Sequence, residues 1–477
     1  MTRSEITRRS HWLGEALGSD QGPAPALDRD ISADVCIVGG GFTGLWTALR
    51  LKEQSPGLDV VLIEKDVCGA GASGRNGGFV LSWWAKLLSL KKICGEAEAM
   101  RLAKASADAV AEIGRFCDEN EIACGFRKDG WLWAATSAAQ VGVWEATLEA
   151  AERFQAKPFV RWSPDRVAAA SGSERHLAGV FEPSAATVQP AALARGLRRV
   201  ALAKGVRIFE DTPLQRLRRD RPSRVETPRG TVKADKIVLA TNAWSIAFPE
   251  IRRAILVVGS DIVSTAPIPE RLKQIGWADG MAISDSRTLV HYYRTTPDGR
   301  IAFGKGGMSG AMPFGGRVGG RFDGASPIAG KVENWFKWTY PALKDLEIER
   351  AWTGPIDRSK DGLPLFGALP GAPDVFYAVG YSGNGVGPSA LGGRILASLV
   401  LEAQDEWSGC GLVRPLQRAF PPEPLRYVGG RIVCRAVGAK DRAEDSGRKV
   451  GRMTGYLASF APAGLSPLKG QNSGLSS

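Results

Sequence analysis

Apolar runs bounded by glycine and charge punctuate this chain: Val35-Cys-Ile-Val38, Val60-Val-Leu-Ile63, Ile237-Val-Leu239 and Val375-Phe-Tyr-Ala-Val379. Short continuous runs of this kind read as buried strands, and the segments between them carry helical spacing. Residues 34–52 and 58–65 give a strand, a helix and a second strand. A helix over 96–121 follows from the spacing of Met100, Leu102, Ala103, Val110, Ile113 and Phe116. The same grammar returns at 190–244, with a helix from Ala191 to Lys204, a strand at Val206–Glu210, and short strands around Arg224–Thr227 and Gly230–Val232. It returns again from Trp352 to about Leu401, where a helix begins near Gly385.

A second grammar interrupts the first. Leu132–Thr136 and Val180–Glu182 look like strands of another unit. From 255 to 340 the text is strand-like with turns: Ile255–Val263, Thr288–Thr295, the turn Pro297-Asp-Gly299, then Ile301–Gly304. That is the pattern of an antiparallel sheet with a hairpin. Two alternations imply an α/β fold, α+β overall. A discontinuous Rossmann-like domain (31–110, 190–250, 350–405) would hold an inserted antiparallel-sheet substrate domain (111–189, 251–349). Residues 1–30 read as a surface-draped tail. Residues 406–477 read as a basic extension whose amphipathic segment near Ile432 is a packing arm.

The 477 residues exceed one core. No run approaches the roughly 20 apolar residues of a membrane span. No apolar signal core opens the chain, so a cytoplasmic enzyme is expected. Seven cysteines without a C-x-x-C pair give no disulfide framework and no zinc site, and three histidines leave little for metal chemistry. The net charge of +12 is spread along the chain with acids interleaved, which argues against nucleic acid as a partner.

The sharpest chemistry lies in Gly39-x-Gly41-x-x-Gly44 between the first strand and its helix, with Glu64 ending the second strand. Gly39 permits the tight turn, Gly41 admits a pyrophosphate, and Gly44 lets helix and strand pack closely. The diphosphate would sit on the helix N-terminus, and Glu64 would accept from a ribose diol. A second glycine cluster, Gly69 to Gly78, suits backbone lying against a flat ligand. The run Gly385-x-Gly387-x-x-Ala390 lacks a following strand and acid and contains Pro388, so no second dinucleotide site is expected.

These motifs, together with Leu239-Ala-Thr-Asn-Ala-Trp244, Asp361-Gly-Leu-Pro-Leu-Phe-Gly367 and Gly380-Tyr-Ser-Gly-Asn-Gly-Val386, resemble the D-amino-acid oxidase superfamily of flavoenzymes over residues 30–405. The wording Ala-Ser-Gly-Arg-Asn-Gly-Gly is most similar to the γ-glutamylputrescine oxidase branch. The resemblance implies FAD. It implies cofactor contacts from Gly39, Gly41, Phe42, Thr43, Gly44, Glu64 and Lys65. Ala72, Ser73, Arg75, Asn76, Gly77 and Gly78 would run beside the flavin, with Val206 behind the adenine. Thr241, Asn242, Trp244, Gly354 and Asp361 would flank the ring, and Gly383, Asn384, Gly385 and Val386 would face its N1/C2=O edge. Relatives with covalent flavin use a cysteine ahead of D-x-x-P or a histidine in the glycine cluster. This chain has neither, which implies non-covalent FAD.

The resemblance also frames the reaction. The arginine that forks onto the substrate carboxylate in the amino-acid oxidases is replaced by Gly354, which disfavours glycine and D-amino acids. An amine whose carboxylate is absent or distant fits better. Its C–N bond would be oxidised to an imine by hydride transfer to flavin, with electrons passing to O2 or another acceptor. The alternatives are a glycine, D-amino-acid or sarcosine-type oxidase and, in another class, a tRNA-modification flavoenzyme. Strand alternation puts Tyr292 and Arg294 on one face and His291 and Tyr293 on the other. The first pair is preferred for the site. Lys305 is the candidate oxygen-activating cation, and Trp352 and Tyr381, which flank the flavin motifs, are candidate wall residues beside the flavin. Trp83 and Trp84 read either as an aromatic wall or as core.

Overall fold

The computed structural model describes residues 10–20, 22–306, 312–319, 322 and 326–464. Two eight-stranded sheets dominate it. In the first, Ile31–Val38 lies at the centre, parallel to Val60–Ile63 on one side and to Thr231–Leu239 on the other. Arg207–Phe209 extends one edge, and Ala372–Val379 with antiparallel Leu365–Leu369 extends the other. Helices Phe42–Gln54, Pro190–Ala203 and Pro388–Val400 pack together beside it. The central strands are buried on both faces, which is why they read as unbroken apolar runs rather than alternations.

One departure from the local pattern is informative. Gly230–Val232 and Ile237–Leu239 are not separate elements but the two ends of a single strand, Thr231–Leu239. Lys233 and Asp235 break the apolar run, yet Ser223–Glu226 hydrogen-bonds along its first half and continues the sheet.

The second sheet runs Ile348–Arg358, Leu256–Thr265, Ile301–Lys305, His291–Thr295, Ala282–Asp285, Trp131–Ala135, Ala178–Glu182, Val160–Trp162. All its pairings are antiparallel except Ala282–Asp285 with Trp131–Ala135. The turn at 297–299 joins His291–Thr295 to Ile301–Lys305 in register, with Tyr292 opposite Gly304 and Arg294 opposite Ala302. A separate apolar cluster including Tyr293, Phe303, Trp277 and Tyr340 fills its outer face.

The ends of the chain are more structured than a tail and an arm suggest. Residues His11–Gly18 form a helix whose N-cap Ser10 accepts from Leu13 N at 3.1 Å. Trp12 is 1% exposed and packs edge-on against Trp352, with ring centroids 5.5 Å apart. This segment is a wedge in the core, because Trp12 and Leu13 find a ready apolar slot between the two sheets. At the other end, Leu425–Asp445 and Arg452–Ala458 form a helical pair. Val437 and Ala458 of that pair, with Ala461 just beyond it, cluster with Leu289.

Candidate functional site

The chain crosses from the first central strand into its helix through a turn that only glycine can make. Gly39 has φ +115°, and a Cβ there would meet Ala240 O at 2.5 Å. A Cβ at Gly44 would sit 2.0 Å from Gly39 O, so close packing of helix on strand requires both. Ser73 folds over the turn and its hydroxyl accepts from Phe42 N at 2.9 Å. Glu64 accepts from Gly40 N at 2.8 Å and Asp66 N at 3.0 Å, and burial raises its pKa despite those donors. Its carboxylate thus stays fixed beside the turn with lone pairs to spare.

A cavity of about 630 Å³ runs from this turn to the second sheet. Its walls take in Gly39, Gly41, Phe42, Thr43, Glu64 and Lys65; Ala72, Ser73, Arg75, Asn76 and Gly77; and Thr241, Asn242 and Trp244. Gly354, Tyr381, Gly383, Asn384, Gly385 and Val386 line it as well, together with Tyr292 and Ser260 from the second sheet. At one end Lys65 Nζ lies 4.5 Å from the centre of the Trp244 ring.

The glycine cluster is held by bonds from every side. Asn76 donates to Ala72 O at 3.0 Å and Ser73 O at 2.8 Å, and accepts from Gly78 N at 2.7 Å. Trp12 Nε1 donates to Asn76 O and Trp352 Nε1 to Arg75 O, both at 2.9 Å. Arg75 donates to Ala70 O at 2.8 Å and to Phe322 O. Arg294 lies beneath the cluster, giving Nε to Gly77 O at 2.7 Å and Nη2 to Val188 O at 2.6 Å. With no carboxylate in ion-pair reach among the described residues, burial and then the nearby Arg127 charge pull its guanidinium down to about 9.

Tyr292 stands in a slot between two glycines. A Cβ at Gly77 would lie 2.9 Å from its ring, and one at Gly304 would lie 2.2 Å away. Its hydroxyl pairs with Ser260 Oγ at 2.6 Å, and Phe79 meets the ring edge-on at 5.8 Å. Tyr381 receives a hydrogen bond from Thr43 Oγ1 at 3.0 Å, which ties the last motif to the first. Burial pushes both phenols upward, so each stays protonated.

Five expected residues fall elsewhere. Lys305 does not line the cavity. Its ammonium donates to His291 Nε2 at 2.7 Å on the opposite face of the strand, because strand alternation sends odd positions away from Tyr292. There it joins Asp285, Arg287 and the arm residues Asp441 and Asp445, and burial lowers it to about 8. Val206 is core-buried, and Thr212–Leu217 supplies the wall instead. Asp361 accepts from Leu363 N at 3.0 Å and Arg414 Nη1 at 2.7 Å, shaping a turn behind the wall. Gly78 and Gly44 serve backbone approach only: a Cβ on Gly78 would strike Val188 O at 2.1 Å. Trp83, Trp84 and Trp352 are core residues outside the cavity lining.

Sequence reasoning passed over five charged wall residues: Asp357, Arg358, Lys86, Arg216 and Arg219. Asp357 is fully buried, accepts from Asn242 Nδ2 at 2.9 Å and Gly380 N at 2.6 Å, and burial lifts it to about 7. It fastens two wall loops together. Lys86 had a signal, since a lone cation sits inside the apolar run Leu81–Leu90.

The walls suit a large flat ligand bearing N–H and O–H groups. Asn242 Oδ1 and Asn384 Oδ1 are buried wall acceptors with no hydrogen-bond partner among the described residues, a costly state that such donors relieve. The glycines at 41, 77, 383 and 385 leave backbone accessible beside them.

Fold and site together describe a dinucleotide-dependent oxidoreductase with its reaction chamber between two sheets. Residues 34–399 match the family described as DAO, FAD dependent oxidoreductase, and the chain belongs to it. Its cofactor is FAD, and its relatives act on amines and amino acids. Gamma-glutamylputrescine oxidoreductase of Escherichia coli K12 is 29% identical over 83% of this chain and 90% of its own length. A probable oxidoreductase of Haemophilus influenzae, OrdL, is 28% identical over 79% of this chain and 85% of its own. The crystal structure of glycine oxidase from Geobacillus kaustophilus shares the fold, with TM-score 0.64 and 22% identity over 81% of this chain and all of the other.

Proposed function

We propose that the protein oxidises the C–N bond of an amine whose carboxylate is absent or lies far from the reacting carbon. The observation that carries this reading is Gly354. It lines the cavity where the amino-acid oxidases would present their carboxylate-binding arginine, and Arg75 Cβ fills the space behind it at 3.0 Å from a Cβ position. Arg294 offers no substitute, since main-chain carbonyls hold its guanidinium. A carboxylate next to the reacting carbon would therefore be desolvated without a partner there. The Escherichia coli relative, by its name, acts on γ-glutamylputrescine, a substrate of the favoured kind.

Bound FAD supplies a two-electron acceptor. The chain's own residues supply the setting. The side chains of Tyr292, Phe79, Leu81, Val290 and Tyr381 give the chamber apolar and aromatic surface. Such a surface lowers the pKa of an amine and favours the neutral form whose lone pair assists oxidation. The phenols of Tyr292 and Tyr381 remain protonated and orient rather than deprotonate. Asp357 fixes Asn242 and the Gly380 turn on either side of the chamber.

FAD is held without a covalent bond. After denaturation the yellow colour should leave the polypeptide entirely, and colour retained on the protein would contradict this. The substrate reading is tested by peroxide release and anaerobic flavin bleaching on polyamines, γ-glutamyl amines, sarcosine, glycine and D-alanine. Bleaching by a γ-glutamyl amine supports it. Bleaching by D-alanine or glycine and by no amine overturns it. Bleaching without peroxide directs the electrons to an acceptor other than O2.

A further inference from the structure

We propose that Lys86 and Arg358 form an anion subsite in the cavity wall that takes the distant carboxylate of the amine substrate. The inference rests on the function proposed above and gives that carboxylate a place.

Both side chains line the same cavity. Lys86 is 4% exposed, and no carboxylate comes within ion-pair reach of either cation among the described residues. Their side-chain partners are two main-chain carbonyls of the C-terminal segment: Arg358 Nη2 donates to Ala463 O at 3.2 Å, and Lys86 Nζ donates to Gly464 O. Arg358 Nε is buried with no hydrogen-bond partner among the described residues. Asp361, the acid whose charge acts on Lys86, is already engaged by Arg414 and Leu363 N.

Other buried arginines of this protein are settled differently. Arg195 meets Glu210, Arg287 meets Asp285 and Asp445, and Arg294 is wrapped by three carbonyls. Lys86 and Arg358 instead repel one another. Burial and the neighbouring guanidinium hold Lys86 down to about 7, and burial holds Arg358 down to about 10. Two carbonyl dipoles from consecutive residues offset part of that cost. A carboxylate presents two oxygens and a full charge, and in a buried setting it offsets the charge of the two cations better than two neutral carbonyl dipoles do. The carbonyl oxygens of Ala463 and Gly464 stand where the two oxygens of such a group would bind, and the substrate would displace them.

The test compares γ-glutamylputrescine with N-butanoylputrescine, which keeps the amide and amine and lacks the carboxylate. Lys86→Met, Arg358→Gln and the conservative Arg358→Lys are prepared as flavin-loaded full chains. Binding of glutarate, a bare dicarboxylate, is followed separately by tryptophan fluorescence without turnover. We expect the kcat/KM preference for the γ-glutamyl amine over the butanoyl amine to fall about 10- to 100-fold in Lys86→Met and Arg358→Gln, the worth of one charge-assisted bond. Arg358→Lys should recover part of the preference, and glutarate affinity should fall in parallel. An unchanged preference, equal losses on both amines, or glutarate binding that ignores both cations would overturn the proposal. Loss of bound flavin in Arg358→Lys would also overturn it, by assigning the cations to the cofactor. If neither amine is oxidised, the proposed function fails while the glutarate titration still decides the subsite.

Discussion

Replacing Gly304 with alanine tests whether the slot around Tyr292 is as tight as the geometry says. The added methyl would lie 2.2 Å from Cε2 and Cζ of the Tyr292 ring, against the ~3.5 Å of ordinary carbon contact. The ring must therefore shift by more than an ångström. Gly77 leaves little room on one side, since even a Cβ built there would lie only 2.9 Å from the ring, and Phe79 stands at its edge. The escape that remains breaks the 2.6 Å bond to Ser260. Overpacking of this kind costs about 1–3 kcal/mol, and the lost hydrogen bond adds about 1 kcal/mol. For a 477-residue chain the unfolding entropy is about 1 kcal/mol per kelvin, so Tm should drop by about 2–4 °C. Thermal unfolding of Gly304→Ala, Tyr292→Ala and the double variant gives the coupling. Removing the ring removes the clash, so the double variant should melt no lower than Tyr292→Ala alone. Strictly additive losses, or a Gly304→Ala protein with unchanged Tm and substrate KM, would refute the slot.

Three further outcomes are expected. Gly44→Ala places a methyl 2.0 Å from Gly39 O, a backbone atom that cannot swing aside, so the purified protein should lose most of its visible flavin absorbance; full retention would contradict the packing argument. Trp12→Ala empties a fully buried site and frees Asn76 O, and should lower stability by about 3–5 kcal/mol in denaturant titration, where a change under 1 kcal/mol would return residues 11–18 to a surface role. His176 is buried, pairs with Ser171 Oγ at 2.7 Å, and burial lowers it to about 4. Its folded pKa lies below the unfolded 6.5, so the unfolded chain gains the proton first and stability falls as pH drops from 6.5 toward 4. The stability advantage of wild type over His176→Gln should shrink by about 2–3 kcal/mol between pH 7 and 4.5, and a pH-independent difference would remove His176 from the acid response.

The nucleotide half of the fold was legible because its signals are local. A glycine with positive φ, a helix that must touch a strand, and a strand buried on both faces each leave their mark within a dozen residues. Thus Gly39, Gly41, Gly44, Glu64 and Ala72, Ser73, Arg75, Asn76 and Gly77 could be picked out, and all of them line the cavity except Gly44, which packs close to Gly39 O. The alternation of His291–Thr295 likewise separated Tyr292 and Arg294 from His291 and Tyr293, as the bonds of Arg294 and His291 show.

What the chain could not announce were the meetings between distant segments. Lys305 is a candidate cation by resemblance alone, but its side chain turns to His291 and an acidic group completed by Asp441 and Asp445, more than a hundred residues later. Trp12 resembles part of a polar tail until Trp352 and Asn76 form the slot that it fills. Lys86, Arg358 and the carbonyls of Ala463 and Gly464 converge only when the C-terminal arm folds back. Period and turn chemistry act between near neighbours and survive in the text of the chain. Desolvation and charge pairing depend on what lies opposite in space, and for this protein only the tertiary structure decided that.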